Sequence, residues 1–116
     1  VTGIWLEPGV VRDAGGLAIP LEPLSPDQVL EGSPQAGFVE LTSSIGVWEH
    51  TPGTSTDVEA DEVFVVLVGA ATLSFTDAAL ASIELRPGSV VQLTEGMHTV
   101  WTVHETLRKV YIVPGA

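Results

Sequence analysis

The sequence has no cysteine, which excludes disulfides, thiolate metal sites and cysteine nucleophiles. It is also poor in basic residues. Only Arg12, Arg86, Arg108 and Lys109 stand against 15 acidic side chains, for a net charge of -11. A nucleic-acid backbone is held by several Lys or Arg contacts, so no nucleic-acid partner is expected. An anionic membrane surface is disfavoured in the same way, and the acidity reads as a device for solubility. Long hydrophobic runs are missing too. The longest, residues 63–68, is far too short to cross a bilayer as a helix. The first residues lack a basic-then-apolar signal pattern, and the expectation is a cytoplasmic protein.

What is present fits one domain of 116 residues, long enough to bury a core without staples. Residues 1–37 are rich in Pro and Gly and poorly periodic, and are expected to pack as strands and turns on a barrel formed by residues 38–116. Within that first part, Ser25 is placed to cap a short helix and Pro26 suits its first position. Val29 and Leu30 would extend it, and Gly32 would stop it after a turn or two. From Phe38 onward, short apolar segments alternate with turn residues, the pattern of an all-β fold. Strands are expected over residues 38–41, 45–51, 62–68, 71–75, 82–85, 89–93, 99–103 and 107–113. Turns are expected at Pro52-Gly53, at Gly69, at Arg86-Pro87-Gly88 and at His104-Glu105-Thr106. Eight or more short strands so closely spaced make a sandwich or barrel.

Two motifs carry a resemblance. Glu62-Val-Phe-Val-Val-Leu-Val-Gly69 has Glu, six residues, then Gly. Gly88-Ser-Val-Val-Gln-Leu-Thr94-Glu-Gly96 has Gly, five residues, a position often Pro, any residue, then Gly. They resemble the end of the first and the start of the second cupin motif. The contexts Gly46-Val-Trp48-Glu-His-Thr-Pro52-Gly53 and Val100-Trp101-Thr-Val-His-Glu-Thr-Leu-Arg108-Lys109-Val-Tyr111 look like the small single-domain subgroup related to the (S)-ureidoglycine aminohydrolase cupins. The resemblance spans residues 46–113. It implies a double-stranded β-helix, the cupin or jelly-roll barrel, with a cavity between its sheets.

Metal-dependent cupins place His-x-His before the first-motif Glu and a further His in the second motif. Here the first pair falls on Thr56 and Val58, or in a longer register on Ser55 and Asp57, and the later His on Thr99. Only Glu62 remains of that set. A single carboxylate is not a transition-metal site, because several imidazole and carboxylate ligands must converge. No cofactor is therefore favoured. If a divalent metal does bind, the candidate ligands are His50, Glu62 and His98, and His98 would need a bulge to face inward.

Glu62 shares the parity of Phe64 and Val66. If that face is the interior, it places a carboxyl in the cavity, and without a cation beside it such a group has a raised pKa suited to acid–base work. Trp48 and Trp101 are candidate cavity walls, and Thr99 a candidate hydrogen-bonding contact. Asp57, Glu59 and Asp61 flank the site. Alternation puts Arg108, Val110 and Ile112 on one face and Lys109 and Tyr111 on the other, and the sequence leaves open which face is inner. A cation facing the cavity would favour an anionic ligand.

The leading expectation is a cupin that binds a small molecule without metal, through Trp48, Glu62, Thr99 and Trp101. The alternative is a hydrolase- or isomerase-like enzyme using Glu62 as acid or base. Trp5, Leu6, Val10 and Val11 could supply the apolar interface of a homodimer.

Overall fold

The computed structural model describes residues 5–114. Residues 1–4, the start of the expected wrapping segment, and the last two residues of the expected barrel lie outside the described part. Among the described residues nine strands form the fold: β1 (Glu22–Pro23), β2 (Val29–Glu31), β3 (Gln35–Glu40), β4 (Ile45–His50), β5 (Gly53–Val58), β6 (Glu62–Phe75), β7 (Ile83–Leu85), β8 (Val90–Leu93) and β9 (His98–Ile112). No helix among the described residues is long and apolar enough to cross a membrane.

Two long strands organise the roll. β9 pairs with β4 along its C-terminal half, from Ile45↔Ile112 to His50↔Leu107. Along its N-terminal half it pairs with β5, from Gly53↔Val103 to Val58↔His98. Its other edge pairs with β6 through both halves. β6 in turn carries β8 beside its first half and β7 beside its second. Each long strand therefore serves both ends of a curled, antiparallel double-stranded β-helix, the jelly-roll architecture expected from the motifs.

Local chemistry explains the bends. Phe64 and Val66 are buried on one face of β6, whereas Ala71 and Leu73 are buried further along. Even positions give way to odd ones, so an extra residue must be absorbed between them. The register shifts across residues 66–71, and Gly69 sits there with φ 98°. A Cβ at Gly69 would overlap the Thr106 carbonyl, so glycine alone fits. The expected turn at Gly69 is thus a bulge within one continuous strand. The same correction applies opposite it. His104, Glu105 and Thr106 are exposed within β9, not in a tight turn between two strands.

Two further expectations change. The helix after Ser25 is a single 3-10 turn, Pro26–Gln28, and the Ser25 hydroxyl accepts no cap bond from it. That hydroxyl binds the Asp27 carboxylate at 2.6 Å instead. Val29 then leaves the turn to pair with Ser55, because a β-branched residue fits a strand better than a helix end. β5 itself was not expected, since Gly-Thr-Ser-Thr-Asp-Val shows no apolar alternation. Its pairing with β9 and β2 supplies the ladder that the sequence pattern does not announce.

The core is a continuous cluster of Phe64, Val66, Leu73, Leu93, Trp101 and Leu107 with their neighbours. The inner face of β9 is that of Trp101, Val103, Leu107 and Lys109, all buried. Arg108 points the other way. It pairs with Glu49 at 2.7 Å and donates to the Ala14 carbonyl at 3.0 Å, which fastens the N-terminal segment to the outside of the roll.

Candidate ligand cavity

A cavity of about 320 Å³ opens into the roll between the start of β6, the end of β5 and the inner faces of β4 and β9. Its walls include the aromatic rings of Phe38, Trp48, Trp101 and Tyr111, and its polar groups are Asp57, Glu59, Glu62 and Lys109. Strand pairing explains the convergence. Phe38 and Lys109 both pair with Trp48, on either side of β4, and Tyr111 pairs with Phe64. Tyr111 also lies flat over Gly46, where a Cβ would collide with its ring.

The Lys109 ammonium is the centre of the arrangement. It lies 2.6 Å from a Glu62 oxygen. It also sits 4.6 Å from the Trp48 ring centroid, 4.3 Å from that of Phe64 and 4.7 Å from that of Trp101. Aromatic faces carry the negative lobe of a quadrupole and attract cations within about 6 Å. One carboxylate and three rings therefore compensate a lysine side chain that is only 5% exposed. This answers which face of β9 is inner. It also removes the premise of a lone buried carboxyl at Glu62, because the cation is supplied from within the chain.

Glu59 is the second built-in element. Its backbone is held at both ends, by Met97 O at 2.9 Å and Gly96 N at 2.8 Å. Thr99 Oγ1 donates to Glu59 Oε2 at 2.6 Å and Trp101 Nε1 donates to the same oxygen at 3.1 Å. Asp57 lies at the mouth, and its Oδ1 accepts the Val58 N–H at 2.8 Å. Partial burial and the neighbouring Glu59 carboxylate push the Asp57 carboxyl above its ordinary value, while Lys109 pulls against them. Burial, with Glu40 and Glu62 nearby, raises Tyr111 as well.

Among the residues singled out from sequence, Trp48, Glu62 and Trp101 line the cavity. Thr99 stands behind it, orienting Glu59. His50 is buried elsewhere: its Nδ1 donates to the Thr51 carbonyl at 2.6 Å, and its Nε2 meets Ser55 Oγ at 2.9 Å. Burial is the main cause lowering its pKa. His98 borders a separate surface depression beside Asp77 and Glu95. Glu59 and Lys109 are what sequence reasoning underweighted. Strand parity put Lys109 with Tyr111, but only the pairing of β4 with β9 reveals that this face carries the tryptophans.

The fold's metal site can be tested against these donors. Thr56 and Val58, or Ser55 and Asp57, occupy the His-x-His positions, and Thr99 the later one. Of these only Asp57 offers a carboxylate and none an imidazole. Among the described residues no three His, Cys, Asp or Glu side chains form a metal-holding group. The residues present do not fit a histidine-ligated ion.

The double-stranded β-helix with its cavity is that of a cupin. More particularly, the chain belongs to the EutQ-like cupin domains, whose family model matches residues 40–111. Solved structures agree on the fold. The EutQ protein of Clostridium difficile superposes with a TM-score of 0.60 at 16% identity, covering 76% of each chain. A protein of unknown function from Pseudomonas syringae pv. tomato gives 0.70 at 22% identity, over 85% of this chain and 45% of that one. A cupin-like protein from Thermotoga maritima gives 0.58 at 11% identity, over 80% and 77%. No curated protein matches the chain.

Proposed function

We propose that this cupin binds a small polar metabolite in its barrel cavity without a histidine-ligated metal. The observation that carries the reading is the Lys109–Glu62 pair, an internal cation beside the one metal-ligand position the chain retains, inside an open aromatic-walled cavity. A volume near 320 Å³ suits a ligand at the small end of the usual range. The reading includes a cytoplasmic location and a homodimer through the N-terminal segment, where Leu6, Val10 and Val11 are exposed.

The test is metal analysis of protein purified without an affinity tag, run beside a thermal-shift screen of small polar compounds. The expected result is no stoichiometric transition metal, together with a compound that raises Tm. A ligand at a hundredfold its Kd stabilises by about 2.7 kcal/mol, and Trp48→Ala should weaken that effect. A stoichiometric metal that disappears in Glu62→Gln would overturn the reading.

One observation favours an enzyme as a second reading: Glu62 presents a carboxylate to the cavity with an ammonium group 2.6 Å away, the makings of a proton-transfer pair. The relation to the ureidoglycine aminohydrolase cupins, and hydrolase- or isomerase-like chemistry, belong to this reading. Full turnover by Glu62→Gln would remove it.

A further inference from the structure

We propose that the ligand is a small organic cation, a primary or quaternary ammonium or a guanidinium group, received by Glu59 and Asp57 against the aromatic wall. The inference rests on the binding reading above and names its ligand class. A cation in the cavity suggests an anionic ligand at first sight, but the hydrogen-bond inventory points the other way. The Lys109 ammonium is already compensated: it donates one hydrogen bond, to Glu62, and the electron-rich faces of Trp48, Phe64 and Trp101 serve its other N–H groups in place of oxygen acceptors. What the cavity leaves without a partner among the described residues is acceptors. Glu59 Oε1, Glu62 Oε1 and Asp57 Oδ2 make no hydrogen bond, while the second oxygen of each carboxylate is engaged.

Glu59 separates this arrangement from an ordinary acidic patch. The residue is only 8% exposed and lines the cavity. Two buried donors fix one of its oxygens, so the carboxylate is held in one orientation and the other oxygen is presented to the cavity. No buried side-chain oxygen among the described residues lacks a partner, so the second Glu59 oxygen opens to the cavity, where a donor-rich cation can replace water with charge-assisted hydrogen bonds. Three carboxylates against one ammonium leave the cavity negative, and the electron-rich faces of Phe38, Trp48 and Tyr111 add a second attraction specific to cations. The chain already shows that this wall accepts such a group, because the tip of Lys109 is itself an alkylammonium resting on Trp48 and Trp101.

The test titrates the intact protein with ethylammonium, tetramethylammonium and guanidinium, against acetate and acetamide of similar size. Calorimetry and tryptophan fluorescence give the readout, at fixed ionic strength. The cations are expected to bind saturably and to change the emission of Trp48 and Trp101, while acetate and acetamide do not. Glu59→Gln should weaken cation binding at least tenfold. Asp57→Asn, at the exposed mouth where folding is not at risk, should weaken it several-fold. Cation binding untouched by both substitutions would reflect the general charge of -11 and would overturn the inference. Acetate or acetamide binding in place of the cations would overturn the ligand class yet leave the metal-free binding reading standing. Silence from every probe would overturn the inference, and the wider thermal-shift screen and metal analysis would then decide the binding reading.

Discussion

Arg108 and Lys109 are neighbours in sequence, each with a glutamate within 2.7 Å, and they do different work because a strand sends consecutive side chains to opposite faces. Arg108 lies on the outside of the roll, where its planar fork reaches both Glu49 and the Ala14 carbonyl. Such geometry suits a clamp between backbone segments. Lys109 points inward, where a compact charge on a flexible stem can settle among three rings and Glu62. One pair holds the wrapping segment, and the other sets the electrostatics of the cavity. The lesson is that two ion pairs of nearly equal length are not equivalent. What each would leave behind if broken decides its role.

The strongest test of that contrast is Lys109→Met. Removing the ammonium strands the Glu62 carboxylate, 17% exposed, against aromatic faces that repel it. Breaking one side of a buried pair costs about 3–5 kcal/mol, whereas replacing both partners by apolar groups is often close to neutral. Lys109→Met should therefore lower Tm by about 10 °C or more, and Lys109→Met combined with Glu62→Met should recover most of the loss. Denaturant melts of the two single variants and the double variant supply the cycle. Additive losses would show that the pair is not the coupled unit described.

Arg108→Ala comes next in size. Losing charge-assisted hydrogen bonds on the outer face should cost about 2 kcal/mol, with a specific local signature. Proteolysis should begin in the segment that holds Ala14, while the emission of Trp48 and Trp101 stays as in the parent protein. A changed tryptophan environment would break the division between outer clamp and inner cage.

The same contrast shows how much could be read from the chain. The all-β roll was legible because Pro52-Gly53 and Pro87-Gly88 mark reversals, and because Glu62, Phe64 and Val66 share one face of a strongly apolar strand. Alternation also separated Arg108 from Lys109. It could not say which was inside, since both faces of that stretch carry one basic residue together with apolar or aromatic ones. That answer comes from pairing with β4, a contact some 60 residues away in sequence, as the Glu49–Arg108 bond illustrates. Glu59 was harder still. It lies between strands, and its two donors, Thr99 and Trp101, are about 40 residues distant. β5 escaped notice because its polar sequence is held by its neighbours and not by its own periodicity. Gly69 was recognised as a special backbone position, but a turn and a bulge both call for glycine.

His50 gives a smaller effect that belongs to the architectural side. The Thr51 carbonyl can only accept, so Nδ1 carries the proton and Nε2 is left to accept from Ser55 in the neutral ring. Burial first, and the Lys109 charge after it, hold the pKa below the ordinary 6.5. The unfolded chain thus binds more protons than the folded one below that value. The stability associated with neutral His50 is complete above about pH 6.5 and is lost as pH falls through the lowered folded value, at no more than about 1.4 kcal/mol per pH unit. Melts between pH 8 and 5 should show the decline, and His50→Gln should flatten it. An unchanged slope in His50→Gln would assign the decline to other groups.

Asp57 should give the smallest change in stability and a change of opposite sign. Its carboxyl is raised above the ordinary 3.8 by partial burial and by Glu59, so the folded state holds this proton more tightly than the unfolded chain. The contribution of Asp57 to stability is therefore greatest below about 3.8 and declines as pH rises through the raised value, which leaves its full penalty in place at neutral pH. Asp57→Asn removes the charge and keeps an acceptor for the Val58 N–H. Because the side chain is largely solvent-facing, screening leaves a gain of only about 1–2 °C in Tm at pH 7, and the gain should vanish near pH 3. The same substitution should weaken binding of the ammonium probes. A residue that improves the fold when neutralised, yet harms binding, is charged for the sake of the cavity. If Asp57→Asn instead lowered Tm at pH 7, Asp57 would join Arg108 among the residues that hold the roll together.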